Sequence, residues 1–165
     1  MLPLIRPASI AAAVVAALAL TGCAPLRVDS YLERDVDFTR YHSYAWVERT
    51  AFSTGDPRLD NNRFFSQRIE DAVDMQMAAR GFEKVRPHVA DLVIQIHARV
   101  DHRRQVDDTN GTLFVDFIDT RTNRLAWRGW AEGNVEGVID DQRWMEKAID
   151  ETVAKILARL PRSSS

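Results

Sequence analysis

The longest regular alternation in the chain is "ADLVIQIHARVDHRRQV", residues 90–106. Leu92, Ile94, Ile96, Ala98 and Val100 fall on one parity; Val93, Gln95, His97, Arg99 and Asp101 fall on the other. A period of two sends these sets to opposite faces of a β-strand. "TLFVDFID" (112–119) repeats the pattern, and the charge on Asp116 fixes its outer parity, so Leu113, Val115 and Phe117 are expected inward. "LAWRGWAEGNV" (125–135) reads as a third strand, with Arg128 and Glu132 outside and Leu125, Trp127, Gly129 and Ala131 inside. The turns are expected at "DDTNG" (107–111), where Asn110-Gly111 is a strong hairpin signal, and at "DTRTNR" (119–124).

The period changes to that of a helix twice. In "NRFFSQRIEDAVDMQMAARGF" (62–82), Phe65, Ile69, Val73 and Met77 form an i,i+4 row with Ala72 beside it, while Arg63, Gln67, Glu70, Asp71 and Asp74 face away. Asp60 or Asn61 is expected to cap the start of this helix, and Gly81 suits a left-handed residue after its end. "DDQRWMEKAIDETVAKILARLP" (140–161) carries a second stripe of Met145, Ile149, Val153, Ile156 and Leu160, stopped by Pro161. Upstream, "YHSYAWVE" (41–48) is rich in aromatic and branched residues and reads as a strand. Tyr44 and Trp46 share its parity with Glu48, so they are either core or part of an outer aromatic patch; size favours core. "RTAFSTGDPRLDNN" (49–62) is loop chemistry, and "FEKV" (82–85) adds a short strand. These elements are most economically arranged as an α+β two-layer sandwich, two helices on one face of a mostly antiparallel sheet.

The start of the chain obeys neither period. "MLPLIRPAS" carries one charge, Arg6, and "IAAAVVAALAL" follows, uncharged, before Thr21, Gly22 and Cys23. Charged start, apolar middle and small-residue exit are the parts of a secretory signal peptide. As a helix the apolar run reaches about 16 Å, against roughly 30 Å of bilayer hydrocarbon. "LTGC" (20–23) resembles the lipobox of bacterial lipoproteins. That resemblance implies cleavage between Gly22 and Cys23, a diacylglycerol on the Cys23 thiol and an acylated new N-terminus. Ala24 in place of Asp implies the outer rather than the inner membrane. Three acyl chains, at about 0.8 kcal/mol per buried methylene, make a permanent anchor.

The expected organisation is a signal peptide over 1–22, a lipidated N-terminus and tether over 23–37 with a possible edge strand in "LRVDSYLE", one α+β domain over 38–160, and a tail over 161–165. Loss of Arg6 with residues 1–22 moves the formal charge from −2 to −3, without a basic stripe to recommend a nucleic-acid partner. Cys23 is the only cysteine, so no disulfide is available and packing must hold the domain together.

Catalytic signatures are sparse. No Gly-x-Ser-x-Gly elbow and no phosphate-cradling glycine loop is present. Gly129, Gly133 and Gly137 are spaced through a strand and its exit, as bends and close packing require. Of His42, His88, His97 and His102, the last two are five apart and point to opposite faces of a regular strand, so no shared metal is expected. Asp116 and Glu132 lie on adjacent strands with His97 and Arg128 nearby; a solvated face with cross-strand ion pairs explains them better than an acid–base pair. Trp130 on that same face is expected either to mark a contact surface or to be covered by the N-terminal segment.

Five segments, "VDFTRYHSYAWV", "AARGF", "ADLVIQIHA", "GTLFVDFIDTRTNRLAWRGWAEG" and the closing helix, resemble in order the bacterial lipoproteins classed as domain of unknown function 4136, over about Val28 to Leu160. A glycine is common in that family's second hairpin turn, where this chain has Asn123. The resemblance implies a lipid-anchored envelope protein and supplies no catalytic residues. The expected function is therefore non-enzymatic: a periplasm-facing module, without a cofactor, that binds another envelope protein through His97, Arg99, Asp116, Arg128, Trp130 and Glu132. Two alternatives stand beside it. A carrier of a small apolar ligand needs a cavity of a few hundred Å³ between helices and sheet. A hydrolase needs Asp116 and Glu132 close together in a cleft.

Overall fold

The computed structural model describes residues 26–47, 53–60, 62–103 and 108–161. The expected signal peptide, with Gly22 and Cys23, and the last four residues lie outside them. The strands are β1 (Arg27–Leu32), β2 (Ser43–Trp46), β3 (Glu83–Lys84), β4 (Leu92–Arg103), β5 (Asp108–Asp119) and β6 (Arg124–Asn134). The helices are α1 (Pro57–Asp60), α2 (Arg63–Ala78) and α3 (Gln142–Leu157). The sheet order is β1-β6-β5-β4-β2-β3; β2 runs parallel to β3 and β4, and the other pairings are antiparallel. The α+β sandwich read from the two periods is the architecture found.

One sheet face carries the core. Leu92 and Ile94 of β4, Val115 and Phe117 of β5, and Trp127 and Ala131 of β6 are buried there against Ile69, Val73 and Met77 of α2 and Ile149, Val153 and Ile156 of α3. Both helical stripes are thus the ones the i,i+4 spacing indicates. Gly81 takes φ +82 beyond the end of α2, the left-handed residue its position called for. Tyr44 and Trp46 sit opposite Leu92 and Ile94, so both aromatics lie on the core face, and Tyr44 is buried. Phe117 meets Trp127 edge-on at 5.3 Å, and Phe38 meets Tyr41 at 5.2 Å.

Four local expectations are corrected. Asn110 and Gly111 lie inside β5, opposite Asp101 and Val100, and the β4–β5 connection falls in 104–107, outside the described residues. Gly111 answers to packing instead: a Cβ there would stand 2.7 Å from Val135 Cγ1. Asn62, not Asp60 or Asn61, caps α2, its side chain accepting the Phe65 N–H at 3.2 Å; Asp60 accepts from Thr54 and closes the preceding loop. Asp74 does not face away, for its Oδ1 accepts Tyr44 O–H (2.8 Å) and Trp46 Nε1–H (2.9 Å) and its Oδ2 meets Lys84 Nζ (2.7 Å). A register shift in the β5–β6 ladder pairs Leu125 with Ile118, so Leu125 leaves the inward row while Ala126 is buried.

Candidate functional site

The register of β4, β5, β6 and β1 builds the helix-free face in cross-strand rows. One row is Gln95, Asp116, Arg128 and Tyr31. The next is His97, Phe114, Trp130 and Asp29, and the third is Arg99, Thr112, Glu132 and Arg27. All six candidate residues, His97, Arg99, Asp116, Arg128, Trp130 and Glu132, therefore share one face, as their parity requires. They are not equally accessible. His97, Arg99 and Glu132 are exposed, Trp130 and Arg128 are half-buried, and Asp116 is only 3% exposed.

Burial of Asp116 corrects the expectation of a solvated carboxylate. Phe114 and Trp130 in the adjoining row shield it, and a buried carboxylate must be matched by charge and hydrogen bonds. Arg128 supplies both as a fork: Nε donates to Oδ1 at 2.6 Å and Nη2 to Oδ2 at 2.5 Å. Burial disfavours the guanidinium, but the hydrogen bonds from it to Asp116 outweigh this and hold its pKa above the ordinary value. The same guanidinium lies 5.6 Å from the centre of the Phe114 ring, a cation–π distance. His97 Nε2 is 3.7 Å from Asp116 Oδ2, and Arg99 is held by Asp101 at 2.8 Å. Arg128 and Asp116 thus form a mutually engaged pair in the row beside Phe114 and Trp130 rather than two free contact groups.

Glu132 lies four residues beyond Arg128 on β6, about 14 Å along the strand at 3.4 Å per residue. The two carboxylates of the hydrolase reading are separated, and one of them is neutralised by an arginine. His97 and His102 also point apart: His97 approaches Asp116, while His102 Nε2 is 3.3 Å from Asp56 Oδ2. Among the described residues no group of three or more His, Cys, Asp or Glu side chains is placed to hold a metal ion. Between helices and sheet, a cleft of about 100 Å³ is lined by Leu26, Phe65, Ile69, Ala98, Leu113, Val138, Ile139 and Met145 among others. That is well short of the few hundred Å³ the carrier reading requires.

Sequence reasoning missed two residues that change the site, Tyr31 and Phe114, and one exposed aromatic in the helix layer, Trp144. Tyr31 of β1 stands beside Arg128 and is 46% exposed, so it extends the aromatic patch from the edge strand; the weak alternation of "LRVDSYLE" was its signal. Phe114 shares the outer parity of Asp116, two residues away on β5, and that parity is the signal for it. Trp144, off the stripe of α3, is 68% exposed. At the opposite end of the sheet a polar cavity of about 320 Å³ is lined by Glu33, Arg34, Asp37, Arg40, Tyr41, Asp119 and Arg121 among others. Its acids are engaged locally: Asp119 accepts Tyr41 O–H at 2.7 Å and the N–H groups of Arg121 and Thr122, and Asp37 accepts from Thr39.

Comparison with known proteins places this geometry. The family model described as domain of unknown function, DUF4136, matches residues 28–162. None of the curated proteins compared with the chain matches it. Three solved structures share its fold at low identity. A single-residue variant of the PelC dodecamer from Paraburkholderia phytofirmans is 12% identical with a TM-score of 0.54, over 85% of this chain and 100% of that one. A PDZ domain protein from Parabacteroides distasonis is 15% identical with a TM-score of 0.56, over 98% of this chain and 42% of that one. A DUF4136 family protein from Bacteroides thetaiotaomicron is 8% identical with a TM-score of 0.51, over 76% and 92%.

Proposed function

The chain belongs to the DUF4136 family, and from that premise we propose that it is a lipid-anchored envelope lipoprotein whose sheet presents a binding face to another envelope protein. The anchor is Cys23, after cleavage at Gly22, and the membrane is the outer one, viewed from the periplasm. The reading gives the chain no catalytic role. Support for the anchor comes from "LTGC" and the apolar run before it. Among the described residues no helix is long and apolar enough to cross a membrane.

One observation carries the binding face: Trp130 and Phe114 lie side by side on a sheet surface that the helices leave uncovered, with exposed Tyr31, His97, Arg99 and Glu132 around them. Aromatic centres with a polar rim are how protein interfaces concentrate their energy. The Arg128–Asp116 pair, its carboxylate buried and its guanidinium partly exposed, occupies the row beside that centre.

A photoreactive amino acid at Arg99 or Glu132, activated in living cells, is expected to trap one envelope protein. Trp130→Ala together with Tyr31→Ala should reduce its recovery at least about tenfold, as loss of more than about 1.4 kcal/mol of binding requires. Arg128 is left intact, because its removal would strand Asp116. Recovery that is unchanged discards this face. Palmitate that fails to label the mature chain, or a Cys23→Ser chain that stays attached, discards the anchor.

A further inference from the structure

Half-buried apolar residues gather at one end of the molecule. Leu26, Phe65, Val138 and Ile139 line the apolar cleft with Met145. Trp144, next to Met145 in the first turn of α3, is the most exposed large hydrophobic residue among those described, at 68%. The topology brings these together: β1 starts where β6 ends, since Arg27 pairs with Glu132. The first turns of α2 and α3 reach the same cleft through Phe65 and Met145.

Leu26 is no loose end. It packs against the core, and a Cβ on Gly133 would stand 2.9 Å from its Cδ1. Only Ala24 and Pro25 separate it from Cys23. Three Cα–Cα steps span at most about 11 Å, little more than the roughly 5–8 Å depth of one headgroup layer. With so short a leash, a chain anchored at Cys23 cannot hold this end away from the lipid.

We propose that this end is a bilayer-docking face, with Trp144 seated among the phospholipid headgroups and the apolar cleft beside it turned toward the membrane. The inference rests on the lipid anchor proposed above and adds an orientation to it. An indole combines an apolar body with one N–H donor, which suits the boundary between acyl chains and water. Around it, exposed Arg143 and Lys147 stand among acids: Lys147 is 3.8 Å from Glu151, Asp141 caps the helix, and Asp140 ahead of it is held by Arg58. A mixed rim of this kind fits a phosphatidylethanolamine-rich surface better than a strongly anionic one. The strands then rise from the membrane, and the Trp130 row faces sideways into the periplasm.

The test uses the full lipidated chain in vesicles of phosphatidylethanolamine with a minor share of phosphatidylglycerol, containing phospholipid brominated near the top of its acyl chains. Tryptophan emission is expected to fall in brominated vesicles, and Trp144→Phe to lose most of that quenching while Trp130→Phe loses little. Exposure of Trp144 keeps the substitution benign, which an unchanged thermal midpoint confirms. Equal quenching of the wild type and Trp144→Phe, with both floating with the vesicles, overturns the docking face and leaves the anchor standing. A Trp144→Phe chain that changes particle mass in detergent assigns the indole to self-association and also overturns it. Failure of the wild type to float removes the anchor, and this inference with it.

Discussion

Asp116 shows what one residue can hide from its own sequence context. Alternation in "TLFVDFID" assigns its face correctly, because parity is local. Its depth is set by register, which brings Arg128 opposite and Phe114 and Trp130 into the adjoining row. Register is a long-range property that no single strand announces. The consequence is a carboxylate buried on the uncovered face, so removal of its partner leaves a charge that water reaches poorly. Breaking a fully buried pair costs about 3–5 kcal/mol. The side chain of Arg128 is 41% exposed, so water can partly replace it and Arg128→Ala is expected to cost about 1–3 kcal/mol. Adding Asp116→Asn should recover part of that loss, because the stranded charge disappears. Urea unfolding of the two variants measures both; a single variant within about 0.5 kcal/mol of the wild type would show an ordinary surface ion pair.

At the scale of elements, what was legible is what repeats along the chain. Both helical stripes, the three long strands and the turn at Thr120–Asn123 follow from local periods and turn chemistry, and Asn123 takes the left-handed φ of 53 that a glycine would otherwise supply. The parallel pairing of β2 with β4 and the joining of β1 to β6 were not legible, since they join segments far apart in sequence. Asn110-Gly111 misled because glycine answers to packing as well as to turns. Gly129 makes the packing demand testable. A Cβ there would meet Ile156 Cγ2 at 2.6 Å and would also collide with the tip of the Trp127 ring, both deep in the core. Neither neighbour can yield without moving α3 or rotating a buried indole. Gly129→Ala is therefore expected to destabilise the domain by about 1–3 kcal/mol. At Gly133 the obstructing atom is the far end of the half-buried Leu26 side chain, so Gly133→Ala should cost less than about 1 kcal/mol. Equal losses at the two positions would mean that α3 does not approach β6 this closely.

Across the whole molecule, stability is tied to pH by carboxylates that fasten loops to elements. Asp56 joins three of them: it takes the Arg58 guanidinium at 2.7 Å, Arg58 reaches on to Asp140 ahead of α3 at 2.7 Å, and His102 at the end of β4 stands 3.3 Å away. Hydrogen bonds from the Arg58 side chain, which outweigh burial, hold the Asp56 carboxyl down at about 2, against an ordinary 3.8. Asp119 is lowered as well: burial pushes it up, but hydrogen bonds from Tyr41 and from the Thr122 and Arg121 backbone prevail. A carboxylate depressed by folding contributes stability above its unfolded pKa and loses it as pH falls toward the folded one. The domain should therefore weaken between about pH 4 and pH 2. At the other limit, burial and the hydrogen bond to Asp119 push Tyr41 up to about 12 from 10.0, so its contribution is lost as pH rises across that interval. Because the side chain of Arg58 is half exposed, solvent screens the Asp56 interaction, and its share of the acid loss is about 1–2 kcal/mol. Asp56→Asn should be less stable than the wild type at pH 7 yet fall off more gently below pH 4, because the group that titrates is gone while the others remain. Urea midpoints at pH 7, 4 and 2.5 separate the two curves. Parallel acid limbs would place the titrating charge elsewhere and leave the Asp56 junction a matter of shape alone.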